Sequence, residues 1–150
     1  MLASFSSLFE RDLDKLIEEI SLYRDEADLW KIKDGISNSA GNLTLHLVGN
    51  LNHFIGAALA NTGYIRERDK EFTLKDIPRK QLIDDIHNIS AIIKATLASF
   101  SEDDLEKDFP VPLNNKISTT SLMFMHLLAH LSYHLGQINY HRRLTGQNEL

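Results

Sequence analysis

Three histidines recur every four residues in the segment FMHLLAHLSYHLGQINYH: His126, His130 and His134. A four-residue helical step turns about 40° past a full circle and rises about 6 Å, so adjacent imidazoles can converge on one ion roughly 2.0–2.1 Å from each nitrogen. An adjacent pair can therefore chelate a metal. The outer two, about 12 Å and 80° apart, are too widely separated for all three to share one ion. These imidazoles lie among Leu127, Leu128, Leu131 and Leu135. Burying several of them without an ion or a polar partner would be costly, which favours a metal over a row of core histidines bonded to their neighbours.

Two histidines make too few protein ligands for a firm zinc-type site, so a facing helix must supply another. The segment GNLTLHLVGNLNHF offers His46 and His53. They are nearly in register around a helix but about 10 Å apart along it, so one of them, and not both, can join the pair. Periodicity permits either. Asn50 lies between them on the same face, placed to touch a ligand from outside or to contact a substrate. Three neutral imidazoles leave a coordination position for water or substrate, an arrangement suited to Lewis-acid activation of a water or a thiol.

Other chemistries lack their residues. With no cysteine, the chain has no disulfide, thiolate zinc site or cysteine nucleophile. No H-E-x-x-H occurs, nor any Glu-x-x-His pair on an expected helix, which removes the zincin and di-iron carboxylate readings. Gly-rich phosphate loops and G-x-S-x-G elbows are also missing. His87 reads as a surface residue. His141, beside Arg142 and Arg143, reads as one of several cations complementing the negative end of a helix.

The elements that must carry these side chains follow from apolar periodicity over the 150 residues, which read as one domain. Phe5, Phe9, Leu13, Leu16 and Ile20 mark a helix over about 3–24. Ser39 is a natural cap for a second, over about 39–61, with Gly63 as a left-handed stop. Pro78 opens a third, to about 100, with Leu82, Ile86, Ile89 and Ile93 on its core face. The fourth runs over about 119–144, with Gly146 after it. Between the first two, Trp30 is expected to pack back onto the bundle, and FPVPLNNK to form an irregular or extended loop.

The expectation is an all-α four-helix bundle with long connections. The charged link 64–77 could span about 45 Å, longer than a helix of about 33 Å, so it could be a crossover. A net charge of −5, from 16 basic and 21 acidic residues, argues against a nucleic-acid partner. No stretch approaches the roughly 20 apolar residues that span a bilayer, and the N-terminus does not read as a signal peptide. The expected setting is cytoplasmic.

The pattern MHLLAHLSYHLGQI resembles the C-terminal helix motif of the DinB/YfiT-like metalloenzymes, an H-x3-H pair followed by GQI and joined to an upstream His-Leu. Here it matches His130, His134, Gly136, Gln137 and Ile138, with His46-Leu47 upstream. The resemblance implies one divalent ion, nickel or zinc, held by His46, His130 and His134. His53, Asn50, His126 and Gln137 would then surround the ion or line its pocket. It also implies a homodimer and a small-molecule reaction, either a thiol-dependent transfer using a low-molecular-weight thiol or a hydrolysis. Leu135 departs from the Arg that many relatives carry before the glycine. The rival expectations are a noncatalytic helical dimer whose metal only stabilises or senses, and a haem bundle with two axial histidines.

Overall fold

The structure is a computed structural model that describes residues 1–146. Four long helices form the bundle: α1 (Leu2–Ser21), α2 (Ala40–Leu51), α4 (Arg79–Ser99) and α5 (Thr120–Thr145), with a short α3 (Arg68–Thr73) between α2 and α4. Among the described residues there is no strand beyond isolated bridges such as Leu113 with Lys116, in the segment where two prolines and two asparagines led to the expectation of an irregular or extended loop. No helix among them is long and apolar enough to cross a membrane.

Side-chain pairs fix the direction of each helix. Asp12 meets Ser132 and Glu19 meets Asn139, so α1 and α5 run parallel. Glu10 pairs with Lys94, whereas Arg79 reaches the carbonyls of Ser21 and Tyr23, so α4 runs against α1. His46 meets His130 and His134, and Leu43 shares a cavity wall with Tyr140 and Leu144, so α2 runs against α5. The order is up, down, down, up. Because α2 and α4 point the same way, the connection between them must return along the whole bundle. The expected crossover is present, and it contains α3, which the charged composition of 64–77 had concealed.

Ends and irregularities have local causes. Ser39 Oγ accepts the Asn42 N–H at 3.1 Å and Thr119 Oγ1 accepts the Leu122 N–H at 3.2 Å, each satisfying a free donor in a first helical turn. Trp30 packs its ring on Gly41, where a Cβ would overlap it. The expected single helix over 39–61 instead changes pitch: Asn52–Ala57 is π-helical, and Ala58 N–H reaches the His53 carbonyl. After it, Asn61 at φ +51° supplies the left-handed stop, two residues before the expected Gly63, which is itself left-handed at φ +76°.

The core is continuous from Phe5 and Phe9, which meet Phe124 edge-on, through Leu13, Leu47, Leu51, Ile86, Leu127 and Leu131. The crossover is pinned to this core by Asn42, whose buried Nδ2 donates to the carbonyls of Glu71 at 3.0 Å and Leu74 at 2.9 Å. That attachment brings α3 against the middle of α2, where His46 lies.

Candidate metal centre

His130 and His134 project from successive turns of α5, their rings nearly perpendicular at 88° and their Nε2 atoms 3.1 Å apart. His46, from the antiparallel α2, places its Nε2 3.0 Å from that of His130. One ligand nitrogen from each of the three lies within 4.8 Å of the others, a cluster that could hold a metal ion. Nitrogens bound at 2.0–2.1 Å with bond angles of about 90–110° stand roughly 2.9–3.4 Å apart, which matches the two observed separations.

Proton placement makes the case stronger. His46 Nδ1 lies 3.0 Å from Glu71 Oε1, and a carboxylate can only accept, so the His46 proton sits on Nδ1. His134 Nδ1 lies 2.7 Å from Gln137 Oε1 and donates to it in the same way. Each neutral imidazole has a single N–H, so the Nε2 atoms of His46 and His134 both aim lone pairs at His130 Nε2. If His130 carries its proton on Nδ1, three lone pairs converge; if on Nε2, one proton must serve two acceptors and Nδ1 is left bare. That Nδ1 is buried without a partner. Burial, helped by His134 and His46, pushes the His130 pKa down to about 4, so a second proton does not relieve the contact near neutral pH. A cation among the three nitrogens satisfies all of them, and the residues present fit a divalent ion.

Glu71 is the residue that organises the cluster, and it is buried. Burial alone would raise its pKa. The paired donors of Arg66, Nε to Oε2 and Nη2 to Oε1 at 2.8 Å each, together with His46, instead hold it below the usual carboxylate range. Gly49 makes room for this carboxylate, because a Cβ there would overlap Oε2. Phe72 completes the wall, its ring 4.9 Å from that of His46. Burial likewise lowers His134, partly offset by its bond to Gln137.

The remaining expected residues lie around the cluster. His126 stacks near-parallel to His130 at 6.3 Å between ring centres and is outside the three-nitrogen group. His53 stands in the π-helical turn against Phe54, 4.8 Å between rings, and its pKa is lowered by burial and by Arg66. Asn50 is buried with Oδ1 unpartnered. His87 is exposed, as expected.

His141 is a correction. It is buried rather than a cation at a helix end, with Nδ1 2.7 Å from the Tyr23 hydroxyl and Nε2 2.8 Å from the Lys31 carbonyl, and burial lowers its pKa. Arg142 instead pairs with the buried Glu19 at 2.7 Å. Sequence reasoning missed Glu71 and Arg66 altogether. Both sit in a charged link whose composition resembles any solvated loop, and no spacing signal connects them to His46.

Comparison with known proteins bears on the whole chain. The sequence model of the family described as "Protein of unknown function (DUF1572)" matches residues 3–150. The crystal structure of a DinB-like protein, YjoA of Bacillus subtilis, superposes with a TM-score of 0.68 at 16% identity, covering 98% of this chain and 95% of that one. The fold is thus DinB-like. No curated protein matches the sequence.

Proposed function

Starting from a chain that belongs to the DUF1572 family and has the DinB-like fold, we propose that it is a metal-dependent enzyme acting on small molecules, with His46, His130 and His134 holding one nickel or zinc ion. The observation that carries this reading is the convergence of three Nε2 atoms whose outer nitrogens, in His46 and His134, are already committed to Glu71 and Gln137. Such an ion, when bound, supplies Lewis acidity that lowers the pKa of a water or thiol and polarises an electrophile.

The chain's own residues set the conditions. Glu71 fixes the His46 tautomer and ring orientation and adds negative charge behind a neutral ligand set. Arg66 keeps Glu71 ionised. Gln137 orients His134 in the same way. With three protein ligands, one position stays free for a small molecule. Both transfer to or from a thiol and hydrolysis suit such a centre.

The test is metal analysis of protein purified without a histidine tag, joined to hydrolase and small-thiol transfer assays. The expected result is close to one divalent ion per chain, turnover that disappears on chelation and returns with metal, and loss of metal in His46→Ala, His130→Ala and His134→Ala with helicity retained. Full metal occupancy in all three variants would overturn the site; turnover indifferent to chelation would overturn the enzymatic reading.

A homodimer is part of the proposal. From Thr120 to His141, α5 carries no Asp, Glu, Lys or Arg, and Leu122, Met125 and Tyr133 are exposed on it. Two copies could bury such a face against each other without stranding a charge.

A further inference from the structure

Two of the three clustered histidines have their outer nitrogen engaged, His46 by Glu71 and His134 by Gln137, and the third does not. His130 Nδ1 is buried without a partner. Its Nε2 faces the other two rings, so once that nitrogen is given to an ion the single proton of a neutral His130 must sit on Nδ1. There it is a buried donor with nothing to receive it, which is an unfavourable state for any polar group.

An acceptor in the same condition lies across the seam. Asn50 is 7% exposed, and its Oδ1 is buried without a partner. Its place follows from register. Because α2 and α5 are antiparallel and meet at His46 and His130, four residues forward on α2 and four back on α5 bring Asn50 opposite His126, about 6 Å along the bundle. The His130 ring spans from one level toward the other: it is edge-on to His46 at 4.9 Å and stacked on His126 at 6.3 Å.

Among the described residues, the other buried side-chain oxygens without a hydrogen-bond partner stand far from this ring. Ser118 lies twelve residues before His130, about 18 Å along α5. Asp28 lines a hollow with Tyr23 and Arg142, the latter twelve residues after His130, and faces the Lys31 ammonium.

We propose that Asn50 Oδ1 accepts the His130 Nδ1 proton in the metal-loaded protein, directly or through one water, and so positions the third ligand. All three imidazoles then have an outer acceptor, one a carboxylate and two neutral amides. The amides orient their rings without adding charge, which leaves the ion more electrophilic than three carboxylates would. This inference rests on the metal-centre reading above, and the experiment separates the two.

Asn50→Leu removes the acceptor at nearly constant volume, and Asn50→Asp keeps it. Zinc affinity is read by competition with a chelator, and the stability of the metal-free protein by denaturant unfolding. Asn50→Leu is expected to bind zinc at least about tenfold more weakly, with no loss of metal-free stability, because an unmet buried amide has been replaced by an apolar group. Asn50→Asp should bind zinc at least as tightly as the wild type. A further readout needs no variant: in long-range proton–nitrogen correlation spectra of the zinc-loaded wild type, the His130 Nδ1 proton should appear shifted downfield by its hydrogen bond. Wild-type zinc affinity in Asn50→Leu, an equal loss in both variants, or an Nδ1 proton without that downfield shift would overturn the role of Asn50 while zinc uptake keeps the centre intact. A wild type that takes up no zinc would overturn the centre and this inference with it.

Discussion

Gly49 packs directly against the Glu71 carboxylate, and a side chain at 49 and the present position of Glu71 are mutually exclusive. The glycine is needed for close approach rather than for backbone freedom, since it lies within regular α2. Gly49→Ala is therefore expected to push Glu71 off His46 and to weaken metal binding about 10–100-fold, as loss of an outer hydrogen-bond partner does. Glu71→Gln should act in the same direction. Competition titration against a zinc chelator measures both, and wild-type affinity in the two variants would remove Glu71 from the design of the site.

Acid should destabilise the metal-free protein. The folded pKa of His130 lies near 4, below its ordinary value near 6.5, and His134 and His141 are lowered too. The unfolded chain therefore binds these protons first. Their stabilising contribution is complete above about pH 6.5 and is lost progressively as pH falls toward 4. Denaturant midpoints at pH 7.5, 6 and 5 should fall in that order. A midpoint unchanged from 7.5 to 5 would contradict the burial of these imidazoles in the folded chain.

The α1–α5 register depends on polar pairs at heptad spacing: Asp12 with Ser132 at 2.6 Å, then Glu19 with Asn139 and Arg142 at 2.7 Å. Glu19→Ala strands the half-buried Arg142 guanidinium and should cost about 3 kcal/mol in denaturant unfolding. A loss below about 0.5 kcal/mol, the level of an ordinary surface substitution, would show that apolar packing alone sets the register.

Tyr133→Glu and Met125→Glu place like charges on the outer face of α5. Sedimentation at micromolar concentration should show a species of twice 17.1 kDa for the wild type and mainly monomer for the double variant. A wild type that sediments only as monomer would dismiss the dimer.

The long helices were readable because Leu13, Leu16 and Ile20, or Leu82, Ile86 and Ile89, repeat at helical spacing, and because Ser39 caps in the expected way. That an adjacent pair among His126, His130 and His134 could converge was readable for the same reason, since these imidazoles lie on one local element, and the family resemblance pointed to His130 with His134. Between His46 and His53 the residues themselves gave no choice; the family resemblance pointed to His46, and the fold brings His46 to the pair. Helix order was not readable, because apolar periodicity is the same for either direction of packing. Nor was Glu71, whose role exists only once the crossover has folded back along α2. The π-helical turn likewise leaves no mark in a segment, NHFIGA, that reads as ordinary helix.

His46 and His130 are 84 residues apart in the chain, yet their nitrogens nearly touch. Closing so long a loop costs conformational entropy that a local helical contact does not, and the three-nitrogen cluster is complete only once both helices have docked. An ion gripping both helices would then act as a latch on the finished structure: zinc added to the protein should slow unfolding, in proportion to its binding, and leave the refolding rate almost unchanged.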